Sequence, residues 1–223
     1  GQTCACMKRM YVHDSVHDAV CDALVEFAKA IPMGNGLDDG VLLGPLTTAD
    51  QHAKVSRLVD DGAKSGKVLL GGQSGEGQFF NTTLISELDN SNALVAEEQF
   101  GPVIPVVPYK DISEVTEYVL SSNYGQQLSI FGNNAKEVAE LIDTFSHQVG
   151  RININNQCQR GPDTFPFNGR KDSAEGTLSV SDALRVFSIR SVVATKYTDE
   201  GKTLVSDIIT NRDSSFLSTD FIF

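Results

Sequence analysis

The sequence predicts an α/β domain built on a largely parallel sheet. Two observations carry that expectation: apolar residues recur at helical spacing in four places, and short β-branched runs fall between them. Strands that alternate with helices are joined by crossovers, and crossovers make neighbouring strands parallel.

Taken in order, the first strand is expected over residues 10–12. A helix follows, with Val16, Val20, Leu24, Phe27 and Ile31 on one face and Asp14 and Ser15 as caps. Thr48 and Gln51 have the spacing of a capping box, opening a helix that buries Val55, Leu58 and Val59. Strands are expected over 67–70 and 103–107. Asp111 or Ser113 then starts a third helix carrying Val115 and Val119. A strand over 128–131 precedes a fourth helix with the stripe Ala135, Val138, Ala139, Ile142 and Phe145, and a last strand covers 151–154. After Lys196 the pattern weakens. Residues 199–223 are polar until Phe216, Leu217, Phe221, Ile222 and Phe223, an apolar end that docks on the domain or a neighbour, or frays.

The 223 residues suit one sizeable domain, alone or with a tail, and 40% hydrophobic residues are enough for a real core. The net charge of −11, from 29 acidic and 18 basic residues, disfavours nucleic-acid and anionic-membrane partners. No apolar run approaches the roughly 20 residues that cross a bilayer. Four cysteines in a chain this long do not make a disulfide scaffold, so a reduced, cytoplasmic protein is expected. Asn81-Thr82-Thr83 matches a glycosylation sequon that such a compartment leaves unused. The start at Gly1, without Met and directly at a motif, is expected of a truncation, a processed piece or one part of a split protein.

Several short patterns bear on chemistry. Cys4 follows Gly1, Gln2 and Thr3 in a glycine-led turn, just before Lys8 and Arg9. Nearby cations favour thiolate over thiol, which suits a nucleophile, although a lone Cys also serves as a small buried hydrophobe. Cys4-x-Cys6 with His13-x-x-x-His17 imitates a zinc site, but the six-residue gap is too short to fold a loop around the metal, so no metal is expected. Gly34-Asn35-Gly36 through Gly40 misses a dinucleotide fingerprint by one residue, follows a helix and carries two Asp, so turn glycines are expected there. Gly72-Gln73-Ser74-Gly75 lacks the final glycine of a nucleophile elbow. Glu97-Glu98-Gln99-Phe100-Gly101-Pro102-Val103 and Arg160-Gly161-Pro162-Asp163-Thr164-Phe165-Pro166-Phe167 are stiff, charged loops, of the kind that build sites at strand ends or serve as plain structural turns.

Together, Gly1-Gln2-x-Cys4, Gly44-Pro45-Leu46, Glu97-Glu98-x-Phe100-Gly101-Pro102-Val103, Asn123-Tyr124-Gly125 and Pro166-Phe167-x-Gly169-x-Lys171-x-Ser173 resemble the aldehyde dehydrogenase superfamily. The likeness runs in order over residues 1–196. The segment from Arg160 to Ser173 looks most like the non-phosphorylating, NADP-dependent glyceraldehyde-3-phosphate dehydrogenases. The resemblance implies the three-layer catalytic domain of that family over 1–185, an oligomerisation strand over 186–198 and an extension over 199–223, with the cofactor domain lying upstream of Cys4.

It also implies roles. Cys4 matches the nucleophile, which attacks the aldehyde carbon to form a thiohemiacetal. Hydride then passes to NADP or NAD and the thioester is hydrolysed. The Cys4 backbone N–H matches the oxyanion donor. Glu98 matches the carboxylate holding the nicotinamide ribose, and Phe100 the aromatic packed beside it. Arg160, with Cys158 and Phe167, falls on the substrate loop, where a guanidinium suits a phosphate. The implied partners are a small-molecule aldehyde and either further copies, as a dimer or tetramer, or a companion chain carrying the cofactor domain. Two departures stand out: Thr3 replaces the arginine usual in the glyceraldehyde-3-phosphate branch, and Ala174-Glu175-Gly176 replaces Gly-x-Gly. The general-base glutamate and oxyanion asparagine of the family fall upstream of Cys4, so this chain alone is expected to be inactive. The alternative is a non-enzymatic assembly subunit of dehydrogenase descent.

Overall fold

The computed structural model describes residues 1–217. It divides into two compact units: residues 1–161 with 167–176, and residues 162–166 with those from 177 onward. Phe221, Ile222 and Phe223 of the apolar end lie outside the described residues.

In the first unit, β1 (Met10–His13) leads through a 3-10 turn into α1 (His17–Lys29), and α2 (Ala49–Ser65) leads into β2 (Lys67–Leu70). β3 (Thr83–Ser86), α3 (Ala93–Ala96) and β4 (Val103–Tyr109) follow, then α4 (Ile112–Ser121), β5 (Tyr124–Gly125), β6 (Gln127–Ile130), α5 (Ala135–Phe145), β7 (Arg151–Ile154) and β8 (Arg170–Lys171). Strand order in the four-stranded sheet is β1-β4-β3-β2. β4 runs parallel to both β1 and β3, and β2 closes the edge antiparallel to β3. β6 pairs parallel with β7 and β5 antiparallel with β8.

The alternation of side chains along β4 explains the layers. Val103 and Val107 face a core built with Val55, Leu58 and Val59 of α2, Ile85 of β3 and Leu94 and Val95 of α3. Ile104 and Val106 face the other way, onto Val20, Cys21 and Leu24 of α1. The sheet is therefore sandwiched between α2 and α1. Each fully buried Val, Leu or Ile contributes roughly 1.5–3 kcal/mol.

The structure corrects several local expectations. The buried face of α1 uses Cys21 and Ala28, while Val16 and Phe27 are exposed. The His13 ring caps the 3-10 turn before α1 by accepting from the Ser15 N–H, and α1 itself has Val16 at its cap position with no side-chain cap, so neither Asp14 nor Ser15 caps it. Thr48 caps α2, but Gln51 turns its amide elsewhere instead of closing the box. The complete capping box belongs to α4, where Asp111 and Glu114 bond reciprocally. Of the α5 stripe only Phe145 is buried. β3, α3, β5 and β8 were not expected.

In the second unit, α6 (Val180–Val186) and α7 (Asp199–Thr210) are helical, so the polar extension is ordered into a helix capped by Thr198. Residues 187–198 form no strand within this single chain, and Phe187, Ile189 and Val192 are almost fully exposed. No helix among the described residues is long and apolar enough to cross a membrane.

Candidate active site

Cys4 is exposed on a turn closed by the Cys6 N–H donating to the Thr3 carbonyl at 3.2 Å. Two contacts fix this turn on the domain. The Gln2 amide exchanges two hydrogen bonds with Thr47, at 2.8 and 3.1 Å. Gly1 lies so close to the 97–103 segment that a Cβ there would stand 1.7 Å from the Gly101 carbonyl oxygen, so only glycine fits. Sequence motifs nearly a hundred residues apart thus meet, backbone against backbone.

The 97–103 segment is held from inside. Gln99 is 1% exposed and donates to the carbonyls of Lys8, at 2.7 Å, and Leu94. From α2, Gln51 donates to the carbonyls of Gln99, at 2.7 Å, and Phe100, at 3.1 Å. Between them Phe100 is forced to φ 53°, a left-handed conformation that costs a residue with a Cβ roughly 1–2 kcal/mol. Gly101 packs where a Cβ would come within 2.6 Å of Val55. The Glu98 N–H donates to the Tyr124 hydroxyl at 3.2 Å, and its carboxylate is 37% exposed.

The Asn123-Tyr124-Gly125 and Lys171-x-Ser173 motifs form a clasp. Lys171 Nζ donates to the carbonyls of Val119, Leu120 and Ser122 at 2.7, 3.3 and 2.8 Å, capping the end of α4. The Gly125 N–H donates to Ser173 Oγ at 2.8 Å. This clasp positions the Tyr124 hydroxyl under Glu98.

On the 158–161 segment, Cys158 Sγ lies 3.3 Å from Ser129 Oγ. Burial pushes the Cys158 thiol above the usual range; the Ser129 hydrogen bond and the Arg151 charge act the other way, and the Cys6 charge adds to the rise. Cys158 therefore sits within electrostatic reach of the turn that bears Cys4. The Arg160 guanidinium stacks 4.6 Å from the Phe167 ring centroid. Arg151 Nη1 donates to the carbonyls of Gln159 and Gly161 at 3.2 and 2.8 Å.

The other patterns stay apart. His17 Nε2 meets Ser86 Oγ at 2.8 Å, beside the buried Cys21, and His13 pairs with Ser15. No group of three or more His, Cys, Asp or Glu able to hold a metal ion forms among the described residues. Sequence reasoning missed Gln99, Gln51 and Tyr124 as supports; an amide inside a run of chemistry-bearing residues was the one signal available.

The chain belongs to the aldehyde dehydrogenase family, whose model matches residues 1–193. Among relatives, it is 33% identical over 177 residues to a glutarate-semialdehyde dehydrogenase of Pseudomonas putida, covering 79% of this chain and 36% of that protein. It is also 33% identical over 180 residues to an NADP+ succinate-semialdehyde dehydrogenase of Schizosaccharomyces pombe, with the same coverages. A glyceraldehyde-3-phosphate dehydrogenase of Methanocaldococcus jannaschii, solved with NADP, superposes with a TM-score of 0.76 at 29% identity, covering 82% of this chain and 38% of that one. The chain thus spans a little over a third of the length of these relatives.

Proposed function

We propose that this chain is the nucleophile-bearing portion of an NAD(P)-dependent aldehyde dehydrogenase. One observation carries the reading: the exposed Cys4 turn lies directly against the segment that presents Glu98 and Phe100. A partly exposed carboxylate anchored by its own backbone suits the two hydroxyls of a ribose, and an aromatic locked beside it suits a flat ring, so these residues fit a nicotinamide nucleotide. When bound, that group supplies the hydride acceptor. Cys4 supplies the nucleophile: its sulfur adds to the aldehyde carbon, and its own N–H faces the developing oxyanion. Loss of hydride leaves an acyl thioester on Cys4, and water releases the acid.

The substrate is an aldehyde with an anionic far end. Arg160, braced by Phe167 and beside Cys158, supports this, because a guanidinium grips phosphate and carboxylate alike. Glyceraldehyde 3-phosphate and the dicarboxylic semialdehydes are both of this class. Residues 186–198, which expose Phe187, Ile189 and Val192, support assembly into a dimer or tetramer by strand pairing. Four free thiols support a cytoplasmic setting.

The test is NAD(P)H formation by the intact protein on a panel of glyceraldehyde 3-phosphate, succinate semialdehyde and an uncharged aldehyde of equal length. Cys4→Ser is expected to lower turnover at least a thousandfold on every substrate. Turnover that survives Cys4→Ser sinks the reading, and no turnover by the native protein on any of the three leaves the assembly-subunit alternative.

A further inference from the structure

Lys8 is the residue where the nucleophile turn and the cofactor-facing segment converge. Its Nζ donates to the Thr3 carbonyl at 3.0 Å, lies 3.5 Å from Glu98 Oε1, and stands 4.3 Å from the centroid of the Phe100 ring. An ammonium has three N–H donors, enough for all three partners. The main chain of Lys8 is tied to the same segment, since its carbonyl accepts from buried Gln99. Both ends of one residue are therefore held by residues 98–100.

This arrangement is costly to build. The Lys8 side chain is 16% exposed, and burying a charge is unfavourable unless partners replace its water. Burial lowers its pKa from the usual lysine range, while the Glu98 carboxylate pulls it back up, as do the charges of Cys6 and Cys4. A surface lysine needed only for solubility has no reason to stand here. The 98–100 segment is clasped by Gln51 and Gln99, whereas the Cys4 turn is tied at its start by Gly1 and Gln2 and closed on its far side by a single backbone bond. Lys8 links the two.

We propose that Lys8 is a positioning residue that holds the Cys4 turn in register with the Glu98–Phe100 segment, so that one ammonium sets both the nucleophile and the grip on the cofactor. The inference rests on the dehydrogenase reading for its cofactor half only; its effect on the thiol turn stands without it.

The first test needs no turnover. Iodoacetamide alkylation of Cys4, followed on its peptide by mass spectrometry, is expected to slow at least fivefold in Lys8→Met and to stay within twofold of native in Lys8→Arg. Native-rate alkylation in Lys8→Met overturns the proposal, and so does a loss that Lys8→Arg fails to rescue. The second test uses the intact protein: Lys8→Met and Glu98→Gln are each expected to raise the KM for NAD(P) about tenfold, with the aldehyde KM within twofold. In the double variant the effect is expected to equal the larger single one, because both act through one contact; the product of the two single effects overturns the proposal. Should Lys8→Met not fold, Lys8→Gln replaces it in both measurements, read against the same thresholds. If Lys8 governs alkylation while no aldehyde is oxidised, the dehydrogenase reading fails and the coupling at the turn survives.

Discussion

Segments 97–103 and 158–161 both carry candidate site residues but are held in different ways. The first sends a side chain inward: Gln99 is buried, spends its amide on carbonyls of the domain, and leaves Phe100 in a strained backbone locked by Gln51. The second has only the half-buried Cys158 turned inward, against Ser129, and is held mainly by residues that reach up from β6 and β7. Gln127 exchanges hydrogen bonds with the Gln159 backbone at 3.0 and 3.4 Å, and Arg151 adds two more. A segment anchored by its own buried residue cannot move without opening the core. One gripped from below can change sequence or shift while the grip persists. On the proposed reading, the difference suits a fixed position for the cofactor and an adaptable one for the aldehyde.

The sharpest way to break this contrast is Gln99→Leu. It removes two hydrogen bonds, one buried and one partly buried, and is expected to lower stability by about 3 kcal/mol, read as a shift in the urea midpoint. An effect no larger than that of Arg151→Met, expected near 1–2 kcal/mol, would remove the distinction. Gly101→Ala comes next: its Cβ meets a buried, branched Val55, and overpacking of this kind costs roughly 2 kcal/mol. On the adaptable side, Arg160→Ala is expected to raise the KM for glyceraldehyde 3-phosphate at least tenfold, with the melting temperature within about a degree of native. An unchanged KM denies Arg160 its role at the substrate's anionic end. The smallest effect belongs to Cys158. Burial raises its pKa, so it stays a neutral thiol at pH 7 and becomes reactive only above the usual thiol range. Alkylation of Cys158 is therefore expected to lag that of Cys4 at pH 7 and to catch up only as pH rises.

Periodicity revealed the elements that bury a stripe or a run. α2 was legible down to Val55, Leu58 and Val59, and β4 from its β-branched residues despite Pro105. β3 was not, although all four of its residues are buried, because Thr83-Leu84-Ile85-Ser86 is short and polar at both ends and only its neighbours β2 and β4 make it a strand. α1 was found but turned slightly, since Cys21 and Ala28 are small and carry little apolar signal beside Phe27. At the site, Cys4, Glu98, Phe100 and Arg160 stood out by motif. Lys8 did so only as a nearby cation, because its three partners are brought together by the fold and not by spacing. Gln51 shows the same limit: its spacing fitted a local cap, and a distant pair of carbonyls outbid it.

The left-handed backbone at Phe100 has a consequence for anyone who would redesign this protein. The direction in which residue 100 points is dictated by the main chain and its two amide clasps, so the position behaves as a socket whose fitting can be exchanged. Phe100→Gly should relieve the backbone strain but also discards the half-buried ring and its contact with Lys8, so the net change in stability is expected to stay within about 1 kcal/mol. The strained main chain thus fixes where the ring stands, and a change of side chain at this position changes what is presented without changing where it is presented.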